Sequence, residues 1–309
     1  MRTVVLLGPQ RLRPTLVEAV DRVGVEGAVA AVTAGWQERE DEIDELSAHL
    51  RRPVVNLRLF QRGEDVLAQD PEILLAWGDH LDRRRKLQDL YRIRVAHAKA
   101  AVRELLRESV EQDLLEAEVE RALEALRAVD REHRDRVARL AAAFDAEWSP
   151  WARPAVAAHR DELAGVLSRC GALAIAGGHV QVLLDRLRLF GVVELADGLP
   201  VFAWSAGAMV CAETVVLFHD RPPQGAGNAE VLDAGLALCR DVVVLPHAKR
   251  RLRLDDPERV LLLARRFDPA LCLALDEGSR AWWDARTGLV VEKGRELRRD
   301  GDVTGELDP

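Results

Sequence analysis

Short runs of β-branched and aliphatic residues alternate with helical periodicities over the first sixty residues. TVVLL (3–7), AVAAVT (28–33) and PVVNLRL (53–59) read as strands, with helical segments between them. Strand, helix and strand in succession predict parallel pairing through right-handed crossovers. The same alternation resumes at ALAIAGG (172–178), VFAWS (201–205), DVVVLPH (241–247) and LCLALDEG (271–278), and the two halves are expected to share one sheet.

The pattern changes between them. The 21 glycines and 13 prolines of the 309-residue chain would place about eight in any window of this size, yet residues 79–149 contain none. That stretch is predicted to be helical. Val119, Leu123 and Leu126, then Val137, Leu140 and Phe144, follow a four-three spacing that makes an apolar seam interrupted by Asp130 and His133. Ser109 with Gln112 matches a capping box, which would start a second helix and fold the segment back as a hairpin. The seam requires a cover, supplied either by residues 81–106 of the same chain or by a second copy. A homodimer through this arm is the preferred expectation. The expected layout is a discontinuous α/β domain over 1–67 and 171–297, a helical insertion over 68–170, and a flexible tail over 298–309.

Composition narrows the function classes. The net charge of -8 argues against a nucleic-acid footprint over the whole chain. No apolar run approaches the ~18 residues that would span a bilayer. The start, MRTVVLLGPQR, reads as a first strand rather than a secretory signal, so a cytoplasmic location is expected and neither a membrane nor a nucleic-acid partner. Cys170, Cys211, Cys239 and Cys272 lie far apart and are expected to be core thiols, with no metal site among them.

The chemistry-bearing signal is VFAWSAGAMVCAET (201–214). A β-rich run ends at Ser205, and the small residues Ala206, Gly207 and Ala208 open a helical pattern, as at a nucleophile elbow. Such a turn exposes the serine oxygen in a strained conformation and leaves no room for bulk at 207. The first amides of the following helix would face the oxygen, placing the Ala206 N–H to stabilise an oxyanion. A serine requires a base, and His247 stands one residue past the run DVVVLP, at a strand's carboxyl end where sites of open α/β sheets gather. His97, His133 and His159 lie in helical runs among charges and are expected to be solvated. The strand LCLALDEG ends in Asp276 and Glu277, either of which would orient the imidazole. The alternatives are a plain strand-to-helix turn at 205, a structural histidine at 247 and ordinary turn acids. Trp282 and Trp283 are expected to pack in the sheet.

Four segments in order resemble the aspartyl dipeptidase and cyanophycinase family of serine peptidases. They are AIAGGHVQVLLDRL (174–187), FAWSAGA, VLPHAKRRLRL and ALDEGSRAWW, and the likeness covers roughly 1–60 and 171–295. The resemblance implies a class I glutamine amidotransferase-like fold, that is, an α/β flavodoxin-like three-layer sandwich with a central, mostly parallel sheet. It also implies Ser205 as nucleophile, His247 as base and Glu277 as third member, with the N–H groups of Gly178 and Ala206 as the oxyanion hole. No metal or organic cofactor is implied. The substrate would be a small peptide, cleaved at a peptide or isopeptide bond, with an acidic residue beside it. Ala203 stands in place of the usual glycine, His179 in place of the usual asparagine, and the insertion in place of a short connection. His179, Arg250 and Arg253, with Arg251 between the last two, are candidate substrate contacts, the equal alternatives being a surface histidine at a helix start and a solvated basic turn. The competing function is a non-catalytic scaffold that uses the insertion to bind partners. Amide transfer from glutamine is disfavoured, because it uses cysteine at the elbow and Cys211 lies beyond it.

Overall fold

The computed structural model describes residues 2–218 and 229–304. Thirteen strands are formed among these: β1 (Val4–Leu7), β2 (Ala28–Val32), β3 (Val54–Asn56), β4 (Cys170–Ile175), β5 (Val201–Trp204), β6 (Thr214–Leu217), β7 (Glu230–Ala234), β8 (Val242–Pro246), β9 (Leu271–Leu275), β10 (Arg280–Asp284), β11 (Gly288–Lys293), β12 (Arg295–Leu297) and β13 (Val303–Thr304). The helices are α1 (Leu16–Val23), α2 (Asp44–Leu50), α3 (Leu59–Gln69), α4 (Pro71–Leu105), α5 (Gln112–Trp148), α6 (Pro154–Leu167), α7 (Val180–Phe190), α8 (Val192–Leu195), α9 (Ala206–Cys211), α10 (Ala248–Arg251) and α11 (Pro257–Phe267).

The central sheet runs β11-β10-β1-β5-β4-β2-β3. Its five inner-to-edge strands β1, β5, β4, β2 and β3 are mutually parallel, and β10 and β11 add an antiparallel margin. Alternation along each strand separates two apolar layers, because successive side chains leave opposite faces. Val5, Leu7, Phe202 and Trp204 face α1 and α2, whereas Val4, Leu6, Val201 and Ala203 face the layer holding α6 and α7. The result is a three-layer α/β sandwich. The parallel order matches the flavodoxin order 2-1-3-4-5, with the N-terminal strand occupying the place of the fifth.

One expectation about the sheet is corrected. β8 and β9 do not join the central sheet but pair parallel to each other in a second sheet, ordered β13-β12-β9-β8. The strands are short and apolar either way, so periodicity carries no information about which sheet they enter. Trp282 and Trp283 lie in β10 between β1 and β11, as sheet packing requires. The four cysteines are buried and free. The tail expected from 298 turns at Arg298–Asp302 and pairs β13 with β12, and the rest of it, 305–309, lies outside the described residues.

The long helical stretch is a hairpin of α4 and α5. The capping box is not formed: α5 starts after Glu111, which makes no side-chain cap bond. The seam is covered by the same chain, with Val119, Leu123 and Leu126 packed on Tyr91, Val95 and Val102. The hairpin also packs on the rest of the chain, because Val231 of β7 and Leu262 of α11 join this cluster. Phe144 and α6 belong instead to the main core, so α6 serves as the crossover layer before β4 and the excess chain is the hairpin. The interruption at Asp130 and His133 is a buried polar network. Arg266, 1% exposed at its side chain, holds Asp130 with two bonds of 2.7 Å and donates to Tyr91 Oη at 2.9 Å. His133, expected to be solvated, is buried, stacked on Tyr91 at 4.0 Å and bonded to Gln88 at 2.9 Å.

Candidate active site

The site gathers at the carboxyl ends of β5, β4 and β2, beside the point where the strand order reverses between β2 and β4. Ser205 follows β5 and precedes α9, and its backbone sits at φ 52°, ψ -125°, a region that costs a non-glycine residue on the order of 1–3 kcal/mol. At 207 a Cβ would run into the carbonyl oxygen of Ile175, so only glycine lets α9 start this close to β4.

His247 caps β8 in the left-handed region at φ 58°, and its amide donates to Leu275 O at 3.0 Å. That bond and the turn into α10 aim the ring across to β5. Ser205 Oγ and His247 Nε2 are 2.8 Å apart. Burial, reinforced by the guanidinium groups of Arg251 and Arg250, pushes the imidazole down to about 4, so the ring is neutral near pH 7 and able to accept a proton.

Gly177 and Gly178, after β4, complete the rim. A Cβ on Gly177 would lie 2.7 Å from Ser205 Cβ, and Gly178 adopts φ 112° with the Gly35 carbonyl where a Cβ would stand. His179 N donates to that carbonyl at 2.7 Å, and among the described residues no acceptor within the chain takes the Gly178 N–H. Ala206 is the first residue of α9, so its N–H has no partner inside the helix.

The structure separates the remaining candidates. Glu277 is half-buried in the turn after β9, and among the described residues no hydrogen bond or ion pair joins it to His247. Asp276 is the buried acid, 5% exposed. Its Oδ1 accepts from Lys249 N at 2.9 Å, within the turn that carries His247, while Oδ2 is buried without a hydrogen-bond partner. Desolvation raises its pKa. His179 caps α7 by accepting from Val182 N at 3.3 Å through Nδ1. Of the three arginines, Arg250 and Arg253 point to the exposed side, with Arg253 3.2 Å from Asp256. Arg251, half-buried, lines the cavity beside Ser205.

Two cavities flank the Ser205–His247 pair. One, of about 470 Å³, carries Met209, Leu217, Leu232 and Arg251. The other, about 700 Å³, carries Trp36, Arg39, Glu45 and His49. These last four were not singled out from sequence, and no local signal marks them: they come from the segment after β2 and from α2, brought to Ser205 only by the parallel pairing of β2 with β4 and β4 with β5. Among the described residues no three His, Cys, Asp or Glu side chains converge to hold a metal ion, and no helix is long and apolar enough to cross a membrane.

No family model matches the chain, and no curated protein matches it. Among solved structures it is similar to a peptidase from an acI-B1 Actinobacterium, with 12% identity and a TM-score of 0.48, covering 99% of this chain and 97% of that one. It is also similar to a candidate peptidase E protein from Listeria monocytogenes EGD-e, with 11% identity and a TM-score of 0.44, covering 94% of this chain and 98% of that one.

Proposed function

We propose that the chain is a serine hydrolase that cleaves an amide bond of a small peptide-like substrate. The observation that carries this reading is the 2.8 Å approach of a neutral, half-buried His247 to a serine held in a strained elbow. A strained non-glycine residue persists only where surrounding structure enforces it, and here it points its hydroxyl at a base and into open space on both sides.

In this reading Ser205 Oγ attacks the carbonyl carbon while His247 Nε2 takes the hydroxyl proton. The oxyanion accepts from the Ala206 and Gly178 N–H groups. Collapse breaks the C–N bond, the Nε2 proton goes to the leaving amine, and an ester to Ser205 remains until water repeats the sequence. A triad needs a third member to orient the imidazole. Glu277 by position and Asp276 by burial compete for it, and Asp276, whose Oδ1 fastens the His247 turn and whose Oδ2 is unspent, is favoured as a positioning residue. The half-buried Arg251 supports an acidic residue beside the scissile bond, since a partly desolvated guanidinium favours a carboxylate partner.

Labelling with a fluorophosphonate probe tests the assignment. The wild type should be labelled and Ser205→Ala should not, with both proteins folded by circular dichroism. Aspartyl dipeptides should protect against labelling better than lysyl ones. Unlabelled wild type, or labelling that survives Ser205→Ala, would return the chain to the scaffold reading.

A further inference from the structure

A third cavity, of about 750 Å³, lies between the helical hairpin and the sandwich and shares no lining residue with the two beside Ser205. Its hairpin wall is aromatic. Trp77 stacks on His80 with ring centroids 5.6 Å apart, and Phe144 meets Trp77 at 5.4 Å and His80 at 4.9 Å. Leu187 and Leu189 of α7 form part of the opposite wall.

The charges around it are unbalanced. Arg84 is occupied by Asp185 through two bonds of 2.8 Å, and Arg188 by Asp233 at 3.1 Å and the Ala234 carbonyl at 2.6 Å. Both guanidinium groups that line the cavity thus have carboxylate partners, and Arg188 also lies close enough to act on the Asp145 carboxylate. Asp145 and Glu194 also line it, and neither has an ion pair among the described residues. His80 is 7% exposed, held neutral by burial and by Arg84, and its Nδ1 has no hydrogen-bond partner. An apolar, aromatic chamber with surplus carboxylate suits a cation that carries an apolar body, because the ring faces and the acids both favour positive charge. The fold already uses this pairing at the same rim, where the Arg160 guanidinium lies 3.9 Å over the Trp151 ring.

We propose that this cavity is a binding site for a small primary amine with an aromatic or aliphatic body, its ammonium taken by Asp145 and Glu194 and its apolar part by Trp77, Phe144 and Leu187. An anion would find both arginines already paired, and a neutral analogue would gain nothing from the two carboxylates.

Calorimetric titration of the full chain with phenethylamine, phenethyl alcohol and hydrocinnamate tests this. The amine should bind with a dissociation constant between micromolar and millimolar, and the alcohol and the acid at least about tenfold more weakly, the equivalent of about 1.4 kcal/mol. Asp145→Asn combined with Glu194→Gln, both exposed positions, should remove that preference while leaving the alcohol's affinity unchanged. Ala141→Trp, which fills the cavity, should abolish binding of all three. Binding should persist after Ser205 has been blocked with a fluorophosphonate, or in Ser205→Ala if the probe does not react, which separates this site from the hydrolase reading. The proposal is overturned if the amine gives no binding heat, if the acid binds as tightly, if the double variant keeps the preference, or if occupying the Ser205 cleft displaces the amine.

Discussion

His133 in the hairpin is buried and His247 above the sheet half-buried, and in both desolvation pushes the imidazole down to about 4. Their surroundings differ. His133 lies flat on Tyr91, and its Nε2 meets Gln88 inside a network in which Asp130, Tyr91 and Arg266 take up one another's polar atoms. His247 has the Ser205 hydroxyl on one nitrogen, Arg251 and Arg250 as the charges that act on its ring, and a cavity on either side. A depressed pKa therefore does not mark a site by itself. What distinguishes the two is whether the polar atoms are used up by the fold or left facing space that a substrate can enter.

The comparison breaks most sharply by truncating each histidine. His247→Ala should slow fluorophosphonate labelling on the order of 10⁴–10⁶-fold with little change in stability, as expected for removal of a general base from a unit that acts together. His133→Gln should leave the labelling rate of the folded protein unchanged and lower stability by about 1–3 kcal/mol in a urea titration, since a buried network loses a partner. Equal loss of labelling in both variants would end the distinction.

The network's stabilising role is tested next by Asp130→Ala. It leaves the Arg266 guanidinium buried without its carboxylate, which should cost about 3–5 kcal/mol, whereas the same truncation of the exposed Glu124 beside Arg131 should cost less than about 1 kcal/mol. Small, similar losses would show that the hairpin opens to water at Arg266.

Acid separates the two rings in a different way. Both native pKa values lie below the ordinary 6.5, so as pH falls the unfolded chain takes up protons first. Stability is therefore present above about 6.5 and is lost progressively toward 4, up to roughly 3 kcal/mol for each ring. His133→Gln should remove its share of that slope. The labelling rate should instead hold in the wild type until pH drops through about 4, where the His247 imidazolium can no longer take the serine proton. An acid limb near 6.5 would mean that His247 is solvated or paired with a carboxylate in solution.

The smallest effect concerns the two acids after β9. Asp276→Asn should slow labelling on the order of tenfold to a hundredfold, through loss of charge beside the His247 turn, and Glu277→Gln by no more than about twofold. The reverse ranking would restore Glu277 as the group that orients the imidazole.

Ser205 and His247 were legible in the chain because each carries its own local signal. A β-rich run that breaks into small residues marks a tight strand-to-helix turn, and a histidine one residue past an apolar strand stands at that strand's carboxyl end. The helical nature of 79–149 is local for the same reason: without glycine or proline, hydrogen bonds between near neighbours propagate unopposed. The parallel core strands and the glycine demanded at 207 belong to this group too.

What only the tertiary structure decided depends on contacts between residues distant in sequence. β8 and β9 pair with each other rather than with the central sheet, a choice of neighbours to which an apolar run is indifferent. Tyr91 and Arg266 turn Asp130 and His133 from breaks in an apolar seam into its polar centre. On α10, a four-residue helix, which of Arg250 and Arg251 faces Ser205 is set by the left-handed start at His247, with Arg253 already beyond the helix, and the burial of Asp276 in place of Glu277 follows from the turn that docks on Lys249 N. Periodicity assigns residues to elements and faces, but it holds no record of which other element a face will meet, and the site's walls are made of such meetings.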